Sequence, residues 1–145
     1  MKRFKKTDDA FRAYIKATRP ERCEICGRYQ VQLRFPLSIF HILSKGAHPR
    51  LRYYEKNVLL ACWSKNQNNL STCHNVWHAS GHGDAIEHRR LMIEKLIAQR
   101  FKLKTYLEVK FELMAAERML DKLDGMKIEA LYHYYNAEDK KLGGV

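Results

Sequence analysis

Apolar positions recur along this chain with two periods. Over residues 8–18, Ala10, Phe11, Tyr14, Ile15 and Ala17 share one face of a short helix, which Asp8 or Asp9 can cap and Pro20 follows. Residues 29–34, Tyr-Gln-Val-Gln-Leu-Arg, alternate polar and apolar and predict a half-buried strand. Residues 37–42, Leu-Ser-Ile-Phe-His-Ile, predict a more apolar strand with His41 near its end, set apart by Pro36. A loop marked by Gly46 and Pro49 fills 43–56, and a short strand follows at 57–61. Residues 64–72 are polar and Asn-rich, a surface loop, and a helix runs from Cys73 to the Gly81-His82-Gly83 break.

The remainder is helical in pattern. Asp84 can cap a helix through Arg100 with Ile86, Ile93, Leu96 and Ile97 on one side. A helix over 104–124 carries Tyr106, Val109, Leu113, Ala116 and Leu120, with Leu107, Phe111 and Met114 on an adjoining strip, and Gly125 stops it. That apolar arc is wider than one neighbour needs, so these helices either cover the core or form a homodimer interface. A last helix over 127–140 places Ile128, Leu131, Tyr132 and Tyr135 together, and the tail from Gly143 is loose.

At 145 residues the chain predicts one domain with an appendage, and 46% hydrophobic residues support a packed core. No apolar run approaches the roughly 18 residues of a membrane span. No apolar segment follows the charged Met1–Asp9 stretch, so a secretory signal is not expected and a reducing, cytoplasmic setting is. Membrane proteins and secreted disulfide miniproteins are thereby excluded. The net charge of +11 points to a polyanionic partner, most often nucleic acid; many surface lysines on a soluble protein is the bland alternative.

In that setting Cys23-x2-Cys26-Gly27, Cys62 and Cys73 read as a tetrahedral zinc site on thiolates, the alternative being four unrelated buried thiols. His74 and His78 lie four apart, on one helix face, and can aim at one metal ion; one of them can equally replace a cysteine on the zinc. His41 precedes them, with Asn57 sixteen residues on. Lys45, Arg50 and Arg52 sit in the intervening loop, within reach of flanking phosphates. His48, His82 and Asp84 are further candidate ligands; His88 and His133 read as ordinary helix residues. Trp63, Trp77, Tyr53 and Tyr54 can stack on bases, though burial against a small zinc core is the simpler expectation.

Cys23-Glu-Ile-Cys26-Gly27, His41-Ile-Leu-Ser-Lys-Gly46-Ala-His48-Pro-Arg-Leu51-Arg52, Glu55-Lys-Asn57-Val58 and Cys62 together resemble the zinc-stapled HNH endonucleases, in particular the NinG (Rap) family of phage recombination nucleases. The resemblance covers residues 20–80 and extends more weakly to 110. It implies a ββα-metal core in which His41 is the general base that activates water and Asn57 buttresses the loop. It implies that His74 and His78 hold a catalytic divalent ion, Mg2+ or Mn2+, and that the four cysteines hold structural zinc. The chain departs from the family in two ways. Phe40 stands where many members have an Asp or His ligand, and ten residues, not two, separate Cys62 from Cys73.

The expected fold is α+β: residues 1–83 form a zinc-knuckled ββα core with an N-terminal helix, and 84–145 form a helical extension. The expected function is metal-dependent hydrolysis of DNA, with the resemblance implying branched or recombination-intermediate substrates and a phage origin. The chief alternative is a zinc-stabilised nucleic-acid-binding or adaptor protein with a non-catalytic site.

Overall fold

The computed structural model describes residues 2–79 and 83–143. The elements are α1 (Lys2–Thr18), β1 (Ser38–His41), β2 (Val58–Ala61), α2 (Cys73–His78), α3 (Asp84–Arg100), α4 (Tyr106–Glu117) and α5 (Gly125–Gly143), with single 3-10 turns at Gln30–Gln32, Pro49–Leu51 and Glu55–Asn57. It is an α+β arrangement. β1 and β2 pair antiparallel in the register Ser38–Ala61 to His41–Val58. β2 is buried along its whole length. No helix among the described residues is long and apolar enough to cross a membrane.

α1 starts six residues before the sequence pattern placed it. The apolar stripe runs back through Thr7 to Phe4, so Phe4, Thr7, Phe11 and Ile15 are all buried on one face. Asp8 and Asp9 are therefore mid-helix residues and cap nothing. Asp9 pairs with Lys5 at 3.0 Å and Arg12 at 3.1 Å, while Asp8 reaches across to Arg52. The strand expected at 29–34 is a 3-10 turn. Val31 and Gln32 are exposed, and Gln30 turns its amide inward to bond Phe35 O at 3.0 Å and Leu37 N at 2.9 Å.

α1 and α5 pack along each other. Thr7 donates its hydroxyl to Ile128 O at 3.2 Å. Phe11 lies edge-on to Tyr135 at 5.0 Å and to Tyr53 at 5.4 Å, and Tyr135 donates its hydroxyl to Tyr53 O at 3.2 Å. The last helix thus returns to the first, and both clamp the chain around Tyr53. Buried residues from α1, the sheet, α2 and all three later helices form one cluster.

Two helix boundaries differ from the pattern. Gly125 begins α5 where a stop was expected, because Asp124 accepts a hydrogen bond from Lys127 N at 2.9 Å and so caps a new helix. α4 stops at Glu117, well short of 124. Its start is set by a reciprocal cap between Thr105 and Glu108. Leu107 and Phe111 remain exposed on its outer face. Residues 144–145, the end of the expected loose tail, lie outside the described residues.

Phe11 is 2% exposed and touches both clamped tyrosines. Phe11→Ala should lower unfolding stability by about 3–5 kcal/mol, read from urea denaturation. A loss under about 1 kcal/mol would mean that α1 and α5 do not brace the core.

Candidate functional site

Three distant stretches converge on sulfur. Cys23 and Cys26 come from a knuckle closed at Gly27, whose φ of 85° suits a residue without Cβ. Cys62 follows β2 directly and Cys73 begins α2. Their four sulfurs lie within 4.8 Å of one another. Cys26 Sγ and Cys62 Sγ are 3.8 Å apart, close to the edge of a tetrahedron with metal–sulfur bonds of about 2.3 Å. The tetrad can hold a metal ion, and it needs neither His74 nor His78 to complete it. Among the described residues it is the one group of three or more potential ligands drawn together, so the imidazoles of His41, His74 and His78 do not form a second such cluster.

The tetrad is also wired to its surroundings. Cys26 N–H points at Cys23 Sγ (3.4 Å) and Cys73 N–H at Cys62 Sγ (3.2 Å). Arg28 donates to Cys26 Sγ at 3.3 Å, to Cys62 Sγ at 3.1 Å and to Ser71 O at 2.7 Å. Without a cation the sulfurs compete for ionisation. Hydrogen bonds from Cys62 and Cys73 hold the Cys23 thiol far below its usual range, and the contact with Cys23 in turn pushes Cys62 up to about 11 and Cys73 higher still. Arg28 was not a candidate from the sequence; its place directly after Cys-x2-Cys-Gly was the available signal. Beside the knuckle, the Glu24 carboxylate accepts from Arg19 at 2.9 Å, from Leu60 N at 2.7 Å and from Arg100, pinning the turn to β2 and to the end of α3.

His41 ends β1, and its Nε2 lies 3.0 Å from Arg52 O. A carbonyl only accepts, so Nε2 carries the proton and Nδ1 the lone pair. Burial lowers the His41 pKa below its usual value, and the charges of Lys45 and Arg52 act the same way. The partner carbonyl is held firmly. Arg52 makes a two-pronged bond to Asp8 at 2.9 and 2.6 Å, Tyr53 donates to the same carboxylate at 2.7 Å, and the guanidinium lies over Phe4 at 3.9 Å. Arg52, read from the sequence as a phosphate contact, is thus engaged within the fold, whereas Lys45 and Arg50 stay exposed.

Asn57 is fully buried beneath the same loop. Its Oδ1 accepts from Leu43 N at 2.9 Å, and its amide donates to Leu43 O at 3.0 Å and Leu51 O at 3.4 Å. The loop between the strands is thereby zipped shut at its base. Its far side is tied to α4, where His48 Nδ1 lies 3.0 Å from Glu117 Oε1.

His74 lies on the α2 face that packs against β1. Ser38 donates its single hydroxyl proton to Ala61 O at 3.0 Å, so the 2.6 Å contact of Ser38 Oγ with His74 Nδ1 is donated by the ring. His74 Nε2 is left as the acceptor nitrogen. Burial takes the His74 pKa down to about 4, with the charges of His78 and His41 adding to it. His78, also lowered by burial, has its ring centre 4.9 Å from that of His74. Phe40 is fully buried and stands edge-on to His74 at 5.4 Å and beside Trp77 at 5.2 Å. His74 and His78 open into a cleft of about 670 Å3 walled by the 63–72 insert. Asn75, buried in α2, anchors that insert through Ser64 N (3.2 Å), Ser64 O (3.1 Å) and Asn66 O (3.0 Å). His82 lies outside the described residues, and Asp84 is exposed in the first turn of α3.

The purified chain should carry one tightly held metal ion. Stripping it with a thiol-competitive chelator, or Cys62→Ser, should lower the unfolding midpoint strongly, because the knuckle, the end of β2 and the start of α2 lose their common link. Arg28→Ala should keep the ion but release it at lower chelator concentration, as followed by a colorimetric metal assay. An unchanged melting curve after complete stripping would remove the tetrad from its structural place. Comparison of the chain with protein-family models, with curated proteins and with solved structures returns no match.

Proposed function

We propose that this chain is a metal-dependent endonuclease of the HNH type that hydrolyses DNA phosphodiester bonds, of phage origin and directed at branched or recombination-intermediate DNA. One observation carries the reading: His41 is a half-buried, neutral imidazole whose Nε2–H is fixed on a loop carbonyl, leaving Nδ1 as a base of defined direction. That is the arrangement needed to take a proton from water attacking a phosphodiester. Asn57 keeps the carbonyl-bearing loop closed, and Asp8, through Arg52, keeps it in place. Lys45 and Arg50 stand exposed on that loop, free to meet the flanking phosphates. The net charge of +11 favours the same partner.

Zinc is the ion we assign to the four cysteines, because an all-thiolate tetrahedron with no open position suits it. The structural ion would leave catalysis to a second one. His74 Nε2 and His78 have the character of ligands, being neutral imidazoles at the wall of a cleft. A magnesium or manganese ion held there would neutralise charge developing on the phosphate. A second reading has its own observation. Phe40 fills the position of a further ligand and packs against His74 and Trp77, as it would in a nucleic-acid-binding protein with a non-catalytic site.

Nicking of supercoiled and four-way-junction DNA with magnesium or manganese separates the two. His41→Ala should reduce cleavage by a factor of about 10²–10⁴ while leaving DNA binding intact. Equal activity in wild type and variant would sink the assignment of the base. Binding without cleavage by the wild type would favour the second reading. The pH profile adds a signed test. Burial makes the imidazolium harder to form, so the base stays neutral below its ordinary pKa of about 6.5 and the acid limb of kcat/KM should fall below that value. The same group costs stability in acid, since below about pH 6.5 the unfolded chain binds the proton that the folded one resists.

A further inference from the structure

Between Ile25 and Gly83 the sequence holds seven lysines and arginines but one acidic residue, Glu55. Within that stretch one surface joins cations to aromatic rings. Trp63 is 37% exposed and meets Phe35 edge-to-face, with ring centres 5.6 Å apart. The Arg34 guanidinium lies over Phe35, 5.6 Å from its centre. Trp63, Ser64 and Lys65 form a wall shared by two clefts. One, about 510 Å3, includes Arg34 and Phe35; the other, about 670 Å3, includes His74 and His78. No described residue lining either cleft is acidic, and the 63–72 insert adds the amides of Gln67 and Asn68.

We propose that this ledge, Arg34–Phe35–Trp63–Lys65, binds an unpaired DNA strand, with a base stacked on Trp63 and its flanking phosphates on Arg34 and Lys65. Within a duplex both faces of a base are already covered by its neighbours, so an aromatic ledge gains contact only from an unstacked base. Trp63 is held in place by Phe35 and by an insert that Asn75 anchors, so little ordering is needed when a base lands on it. The absence of acids along both clefts leaves no repulsion for a phosphate backbone that passes from one to the other. The inference deepens the nuclease reading and rests on it for the choice of DNA. It adds that the unpaired portion of the substrate lies on the insert side, leading into the His74/His78 cleft.

The test is binding of the full, metal-loaded chain to a labelled oligothymidylate and to a duplex, by fluorescence anisotropy without added magnesium or manganese. Trp63→Ala should weaken oligothymidylate binding by roughly tenfold and duplex binding by less than about twofold, and Trp63→Phe should restore most of the loss. Lys65→Gln should reduce the slope of log K against log salt by about 0.7 for the single strand. Unchanged metal content and melting of each variant establish that the fold is intact. Equal losses for single strand and duplex, or no loss, overturn the proposal, as does salt-insensitive binding of an apolar peptide that competes with the oligonucleotide. The two readings fail separately. A wild type that does not nick DNA but keeps this stacking signature retains the ledge without the nuclease; normal nicking with Trp63→Ala binding like wild type does the reverse.

Discussion

The sulfur tetrad is the constraint on which the rest depends. α2 has six residues, too few to be helical alone. It is helical because Cys73 fastens its first turn to Cys62 at the end of β2 and to the Cys23–Cys26 knuckle. That attachment sets His74 one residue further on, opposite Ser38 and Phe40 on β1. Four close thiols repel one another as they ionise, so the cluster calls for positive charge around it. Arg28 and two backbone N–H groups supply part of the positive field, and an ion held by the tetrad would supply the remainder.

A second constraint acts at the end of β1. His41 takes its orientation from a carbonyl, the carbonyl from Arg52, and Arg52 from Asp8 in the middle of α1. α1 in turn lies between the loop and α5. The C-terminal helix therefore touches the imidazole's environment without contacting the imidazole, through Phe11, Tyr53 and Tyr135. A helical addition that looks like an appendage in the sequence serves as the outer wall of the loop that holds His41.

Much of this was legible from side-chain period and spacing. The β1 and β2 runs and α3 with its boundaries follow from patterns that one segment carries by itself, and the partnership of four cysteines follows from their residue type in a chain that reads as reducing. What failed was decided by partners elsewhere. The alternation in 29–34 matches a strand, but Gln30 has its amide partners at Phe35 and Leu37, and the segment turns. Asp8 resembles a cap until Arg52 and Tyr53, more than forty residues away, claim its carboxylate. Asp124-Gly125 fits either the end of one helix or the start of another, and only the bond from Lys127 N decides it. At the candidate site Asn57 was singled out by the resemblance to the HNH endonucleases; by itself it read as a turn residue. Ser38, Arg28 and Asn75 were not, because a serine, an arginine or an asparagine in a short segment has many uses and the sequence does not say which carbonyl or sulfur it will meet.

The placement of Phe40 bears on how an ion would bind. Strand alternation turns Ser38 and Phe40 toward α2, while His41 at the end of β1 bonds the loop between the strands. The candidate base and the imidazole pair are coupled through their charges, since a proton on His41 makes one on His74 less favourable. With Phe40 apolar, the pair offers two protein donors. Two neutral imidazoles bind a hard ion such as magnesium weakly, and leave most of its positions to oxygen. On the proposed reading, phosphate oxygens and water fill those positions, so the ion is retained chiefly when the substrate is present. The loss of a ligand then shifts metal affinity from the free protein to the complex, and its cost appears in the metal concentration needed for cleavage more than in the geometry of the base.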